Sequence, residues 1–197
     1  MEIQYKYGAL ILAGGQAKRM GGIQKAELTY GMTTFLSMLE RTLSFFEPAY
    51  LSTNKPQMAQ GTGLEPVADL FPCRGPMGGI YSALKKCSCD ALLVVPCDMP
   101  FFSRGLAEFL LREHQGEAVL YLQDENEREF PLCGIYTRDC IPVIEELMTR
   151  EDFRVRQILR QAGGRILPVP TGVFPSQCFY NVNTPAVYQQ ICSWYQE

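Results

Sequence analysis

The sequence predicts an α/β fold, an open and mostly parallel sheet with helices on both faces. Three observations lead there. Ala91-Leu92-Leu93-Val94-Val95 is apolar at every position and stopped by Pro96, as strands covered on both sides are. A second continuous apolar run, Gly8-Ala9-Leu10-Ile11-Leu12-Ala13, lies early in the chain and reads as another buried strand. Strand-like and helix-like segments then alternate, which implies right-handed crossovers within one sheet.

Taken in order, the first strand is followed by a loop punctuated by Gly14, Gly15, Gly21 and Gly22. Thr34 is placed to cap a helix whose apolar stripe runs through Leu36, Leu39, Leu43 and Phe46 and is ended by Pro48. Strands are expected at 49–53 and, from a weaker pattern, at 65–68. Gly75-Pro76-Met77-Gly78-Gly79 opens a helix over 80–86. The strand at 91–95 leads to a helix at 103–113 and a strand at 118–122. The second half is less regular: a strand at 129–136, helices at 141–148 and 155–162, and short extended pieces at 166–169 and 179–182. A last helix starts at Thr184-Pro185, Thr as the cap and Pro at the first helical position. No repeat or linker divides the 197 residues, so residues 1–197 are read as one domain, long enough for a sizeable core.

Composition removes several classes of function. Apolar residues make up 47% of the chain, too many for intrinsic disorder. Eighteen Lys+Arg against 21 Asp+Glu leave a net charge of −3, which argues against nucleic acid as the main partner. An anionic ligand must therefore be held by a local group of cations and backbone N–H donors. The first residues show no basic segment followed by an apolar run, so no signal peptide is expected. Residues 166–196 carry no charge, but Pro168, Pro170, Pro175, Pro185 and several Asn and Gln interrupt them, so no membrane span is expected either. The expectation is a soluble, cytoplasmic protein.

Eight cysteines without a secretory signal read as reduced structural thiols. Cys87-Ser-Cys89 is the one close pair and lacks zinc-site spacing. The single His114 ends a helical run, where a cation complements the helix dipole.

Ligands of open parallel sheets bind beyond the carboxyl ends of the strands, and three loops fall there. The first, from Leu12 through Gly14 and Gly15 to Lys25, combines glycines, whose N–H groups can approach an anion, with Lys18, Arg19 and Lys25. It matches neither the dinucleotide nor the Walker pattern. The second is Pro96-Cys97-Asp98-Met99-Pro100. A carboxylate held there between two prolines suits a Mg²⁺ that also touches substrate phosphates; a turn or helix-cap aspartate has the same pattern. The third, Asn181-Val182-Asn183-Thr184-Pro185, places two asparagines on one side of an extended segment, although an Asx turn explains it as well. Arg154, Arg156 and Arg160 add cations near a helix, 156 and 160 on one face, as either an anion site or a solvated surface.

In this order the loops resemble the molybdenum cofactor guanylyltransferases, within the wider nucleotidyltransferase superfamily. The matching stretches are LAGGQAKRMGGIQK (12–25), RGPMGG (74–79), PCDMPF (96–101) and NVNTP (181–185), spread over almost the whole chain. The resemblance implies a three-layer Rossmann-like fold and the transfer of GMP from GTP to the terminal phosphate of molybdopterin, with release of pyrophosphate. It further implies that Leu12, Ala13, Gly14 and Gly15 contact the nucleotide, that Lys25 binds its phosphates, and that Arg19 stabilises the pyrophosphate charge. Asn54 and Asp69 stand at positions similar to the family's base- and ribose-binding residues, with Gly78 in the nucleotide pocket. Asp98 looks like the Mg²⁺ ligand, and Asn181, Asn183 and Arg154 look like acceptor-binding residues. Gln24 stands where the family usually has Asp, which keeps hydrogen-bonding reach and loses charge. Transient contact with molybdoenzyme-assembly proteins fits the same resemblance. The alternatives are a relative using CTP or another acceptor, and a nucleotide-binding module without catalysis. A phosphate nucleophile is already anionic at neutral pH, so charge neutralisation and positioning carry the reaction without a strong general base.

Overall fold

A computed structural model describes residues 5–14 and 24–195. Its main sheet has seven strands: β1 (Tyr7–Leu12), β4 (Ala49–Ser52), β5 (Glu65–Val67), β6 (Ala91–Pro96), β7 (Val119–Gln123), β8 (Glu129–Thr137) and β9 (Arg165–Pro168), in the order β5-β4-β1-β6-β8-β7-β9. Strands β5, β4, β1 and β6 are parallel, and β7 is parallel to β9. Only β8 runs against its neighbours β6 and β7, so the predicted mostly parallel sheet is present. At Gly134 the pairing of β8 with β7 is close: a Cβ there would lie 2.2 Å from the Leu120 carbonyl oxygen, and glycine is the residue that lets the backbones approach so far.

The continuous apolar runs are explained by cover on both faces. From β1, Ala9 and Ile11 pack with Leu39 of α1 (Phe35–Thr42) and Leu106 and Leu110 of α3 (Arg104–Glu113). Leu10 and Leu12 face the opposite way, onto Ile80 and Leu84 of α2 (Gly75–Lys86), Ile144 of α4 (Ile141–Thr149) and Ile158 of α5 (Val155–Ala162). This is the three-layer arrangement. Helix α6 (Pro185–Ser193) forms a separate small cluster in which Ile191 meets Leu28, Phe35 and Val182. The expected caps Thr34 and Thr184 are in place, each accepting from a backbone N–H in the first turn of α1 and α6, and Ser103 does the same for α3.

Three sequence expectations are corrected and one element is added. Helix α1 ends at Thr42 rather than Phe46; Leu43 and Phe46 are buried in the following turn, because the chain must swing through Pro48 into β4. Gly75 to Gly79 are not a loop before α2 but its first turn, with Pro76 in the position that needs no N–H donor. The piece at 179–182 is no strand: a 3₁₀ turn (Ser176–Phe179) leads into an irregular segment. A two-stranded hairpin, β2 (Thr29–Tyr30) with β3 (Thr33–Thr34), was not expected.

His114 is a buried pin at the end of α3. Its side chain is 0% exposed. Nε2 lies 2.9 Å from the Glu117 carbonyl oxygen, which can only accept, so Nε2 carries a hydrogen, and Nδ1 lies 2.9 Å from the Tyr7 hydroxyl. The eight cysteines are free and six are buried. Burial pushes the Cys97 and Cys140 thiols up to about 12, which keeps them protonated and inert. Among the described residues, no helix is long and apolar enough to cross a membrane.

Candidate nucleotide and phosphate site

At the carboxyl ends of β1, β4 and β6 the strand termini are tied together. The Ala13 N–H donates to the Ser52 carbonyl at 3.1 Å, the Cys97 N–H to that of Leu12 at 3.0 Å, and the Thr53 N–H to that of Val67 at 2.9 Å. A cleft of about 610 Å³ opens above them. Leu12, Ala13 and Gly14 form its floor at β1, Gln24, Lys25 and Asp98 one end, and Asn54 and Asp69 the other.

The end near β6 gathers four expected residues from three loops. Lys25 Nζ donates to Asp98 Oδ2 at 2.7 Å and also to Asn183 Oδ1. Asn181, with its amide nitrogen turned to the carboxylate, donates to Asp98 Oδ1 at 3.1 Å and Oδ2 at 3.0 Å. The backbone holds this loop in place: the Val182 N–H donates to the Asp98 carbonyl at 2.7 Å, and the Asn183 N–H to that of Asn181 at 3.0 Å. The asparagines thus converge through a tight turn, not through the alternation of a strand. Lys25 and Asp98 are only 23% and 15% exposed at their side chains, so their attraction is screened less than that of a surface pair.

At the other end, the Asp69 N–H donates to Asn54 Oδ1 at 2.9 Å and Asn54 Nδ2 to Asp69 Oδ2 at 3.1 Å. The loop carrying Asp69 is anchored by buried Ser82, whose Oγ accepts from the Leu70 N–H at 2.8 Å and donates to the Gly78 carbonyl at 2.7 Å. Gly79, not Gly78, faces the cleft: a Cβ on Gly79 would meet Ser52 Oγ at 2.5 Å, whereas one on Gly78 would point at Arg74 Cβ and the Phe71 carbonyl.

Two further expected residues, Arg19 and Gly15, lie outside the described residues. Arg154 lines neither this cleft nor the smaller cavity described next; its guanidinium is paired with Asp152 at 2.8 and 2.5 Å, and that pairing holds the Asp152 carboxyl down at about 2. Arg156 is likewise engaged, with Glu129 at 3.0 Å. Ser52, Thr53, Lys55 and Cys73 also line the cleft and were not singled out from sequence. Ser52, Thr53 and Lys55 stand directly at or after the end of β4, and that position was the available signal. A second cavity, about 310 Å³, is lined by Asn181, Phe174, Phe179, Tyr180, Glu125 and Arg128, and Asn181 also reaches Asp98 of the first cleft.

A family model described as a MobA-like NTP transferase domain matches residues 9–166. The molybdenum cofactor guanylyltransferase of Serratia proteamaculans (strain 568) is 30% identical over 193 residues, 95% of this chain and 93% of that protein. Among solved structures, molybdopterin-guanine dinucleotide biosynthesis protein A from Archaeoglobus fulgidus superposes with a TM-score of 0.78 at 20% identity, covering 96% of this chain and 98% of that one. The 2-C-methyl-D-erythritol 4-phosphate cytidylyltransferase of Thermus thermophilus shares the fold at a TM-score of 0.69 and 16% identity, covering 96% and 99%.

Proposed function

The chain belongs to the MobA-like NTP transferase domain family, and on that premise we propose that it transfers GMP from GTP to the terminal phosphate of molybdopterin, releasing pyrophosphate. The observation that carries this reading is the convergence of Lys25, Asp98, Asn181 and Asn183 at one end of a cleft whose other end holds the Asn54–Asp69 pair. A lysine ammonium, a carboxylate and two amides gathered at one end suit phosphates and a cation, and the hydrogen-bonding Asn54–Asp69 end suits a nucleoside.

The reaction needs little from the protein beyond placement and charge. An oxygen of the acceptor phosphate attacks the α-phosphorus in line; a new P–O bond forms as the bond to the β-phosphate oxygen breaks, and pyrophosphate leaves with that electron pair. The acceptor oxygen is already anionic, so no proton must be removed. Lys25 supplies fixed positive charge at the phosphates, with Arg19 assigned the same task on the leaving group. Gly14 leaves the β1 end of the cleft without a side chain, so phosphate oxygens can come close to the backbone. The acceptor enters beside Asn181, where the aromatic-lined cavity begins.

Mg²⁺ is part of this proposal. Such a cation takes oxygen ligands, commonly one or two carboxylates completed by water and substrate phosphates. Asp98 Oδ2 and Asn183 Oδ1 already present oxygens to one positive centre, the Lys25 ammonium, and this donor set fits. When bound, the ion would neutralise developing phosphate charge. The reading places the enzyme in the cytoplasm, with assembly proteins for molybdoenzymes as transient partners.

Calorimetric titration with GTP, CTP and ATP in Mg²⁺, followed by turnover with molybdopterin, tests the reading. Selective GTP binding and release of pyrophosphate are expected. Preference for CTP moves the protein to cytidylyl transfer, and binding of none of the three overturns the nucleotide assignment.

A further inference from the structure

With the phosphates placed at Lys25 and Asp98, the base of the nucleotide lies toward the opposite end of the cleft, lined by Asn54, Lys55, Asp69, Cys73 and Pro76. Asn54 and Asp69 are hydrogen-bonded to each other. Lys55 does not share in this pair. Its backbone is held, the Lys55 N–H donating to Thr53 Oγ1 at 3.1 Å, and its exposed side chain enters none of the ion pairs formed among the described residues. The other described lysine lining the cleft, Lys25, is engaged by Asp98 and Asn183.

An ammonium has three donors and no acceptor. The bases differ in what they offer such a group. Guanine presents two adjacent acceptors, O6 and N7; adenine pairs N7 with an amino donor, and cytosine presents an amino donor at the equivalent edge. We propose that Lys55 is a base-selecting residue, its ammonium donating to the O6/N7 edge of guanine and so favouring GTP over ATP and CTP. The proposal rests on the GTP reading above and extends it from where the nucleotide lies to how its base is chosen. Adenine and cytosine present a donor where guanine presents O6, so the exposed ammonium turns to water and the hydrogen bond that guanine accepts is forfeited.

The test edits both partners. The full chain and its Lys55→Met and Lys55→Arg variants are titrated calorimetrically, in Mg²⁺, with GTP, 7-deaza-GTP (a CH in place of N7), ATP and CTP. Loss of one charge-assisted hydrogen bond corresponds to about a tenfold change. The wild-type chain is expected to bind 7-deaza-GTP about tenfold more weakly than GTP. Lys55→Met is expected to weaken GTP by a similar factor, to bind GTP and 7-deaza-GTP alike, and to narrow the gap to ATP and CTP. Lys55→Arg, which reaches the same two acceptors, is expected to restore the preference. Equal weakening of all four nucleotides in Lys55→Met assigns the lysine to phosphate or ribose and overturns the proposal, as does unchanged GTP affinity. A wild-type chain that binds GTP and 7-deaza-GTP equally overturns the Lys55 assignment alone. A wild-type chain that binds no GTP overturns the GTP reading and the Lys55 role with it.

Discussion

Lys25 and Asp98 stand 73 positions apart in sequence, yet Lys25 Nζ lies 2.7 Å from Asp98 Oδ2. The contact joins the loop after β1 to the loop after β6, adjacent parallel strands whose carboxyl ends lie side by side. The pair is therefore set by sheet topology, and Asn181 and Asn183 are brought onto it from the far end of the chain by the Val182–Asp98 backbone hydrogen bond. A cation and a carboxylate held this way are preorganised: little reorganisation is needed when phosphate charge arrives.

Replacing Lys25 by Ala removes that fixed charge and should cost at least about 2 kcal/mol of transition-state stabilisation. Steady-state kinetics would show kcat/KM reduced by more than about tenfold. A smaller fall contradicts the assignment of Lys25 to the reacting phosphates. Asp98 keeps its contact with Asn181 in this variant, so the fold should survive and circular dichroism should be unchanged.

Asp98→Ala should abolish Mg²⁺-dependent turnover while leaving the protein folded. The reason for the second half is local. The backbone around Asp98 is secured by the Met99 N–H on the Pro96 carbonyl and the Val182 N–H on the Asp98 carbonyl, neither of which needs the carboxylate. Activity measured against Mg²⁺ concentration, beside a thermal melt, separates the two effects; near-normal turnover at saturating Mg²⁺ sinks the metal assignment.

How much of this was legible in sequence depends on what each residue type can reveal. Val94 and its neighbours announce a doubly covered strand because nothing polar interrupts them. Lys25, Asp98, Asn181 and Asn183 stood out because charged or amide side chains followed such strands or broke a loop, and the structure brings all four together. The direction of β8 was not legible, since a strand pattern carries no sign of its partner's direction. The β2–β3 hairpin is four paired residues around Gly31, too short for any periodicity. Arg154 shows what sequence does not display: the structure pairs this cation with the neighbouring Asp152. Ser52 and Thr53 are chemically plain, and only their place at the end of β4 gives them access to the cleft.

Gly79→Ala separates fit from stability. Alanine in a helix interior gains up to about 1 kcal/mol over glycine, but the added methyl would meet Ser52 Oγ at 2.5 Å and Leu12 Cδ2 at 3.2 Å. A serine hydroxyl can rotate away, so the two effects nearly offset and the melting temperature should move little. The displaced Ser52 hydroxyl intrudes on the cleft, and KM for the nucleotide should rise several-fold with kcat less affected. An unchanged KM would mean that this wall of α2 does not touch the nucleotide.

Away from the cleft, Glu117 at the sheet edge is expected to contribute to the acid limit of stability. It receives the Arg165 guanidinium and, at 2.8 Å, the Gln115 N–H, while Arg165 also donates to the Glu113 carbonyl, so that β9 is clamped to the end of α3. Burial pushes the Glu117 carboxyl up, but the Gln115 N–H and Arg165 more than offset it, and its pKa lies below the ordinary 4.5. A carboxyl lowered on folding stabilises the native state above its unfolded value, and that contribution disappears as pH falls through the folded one. The wild-type chain should therefore lose stability steadily from about pH 4.5 downward. Glu117→Gln should be less stable at pH 7 by about 1–3 kcal/mol, the range for disrupting a hydrogen bond to a largely buried charge, and its stability should fall less steeply in acid. Urea unfolding at intervals from pH 7 to pH 3 measures both; parallel pH profiles for the two proteins would assign the acid limit to other carboxylates.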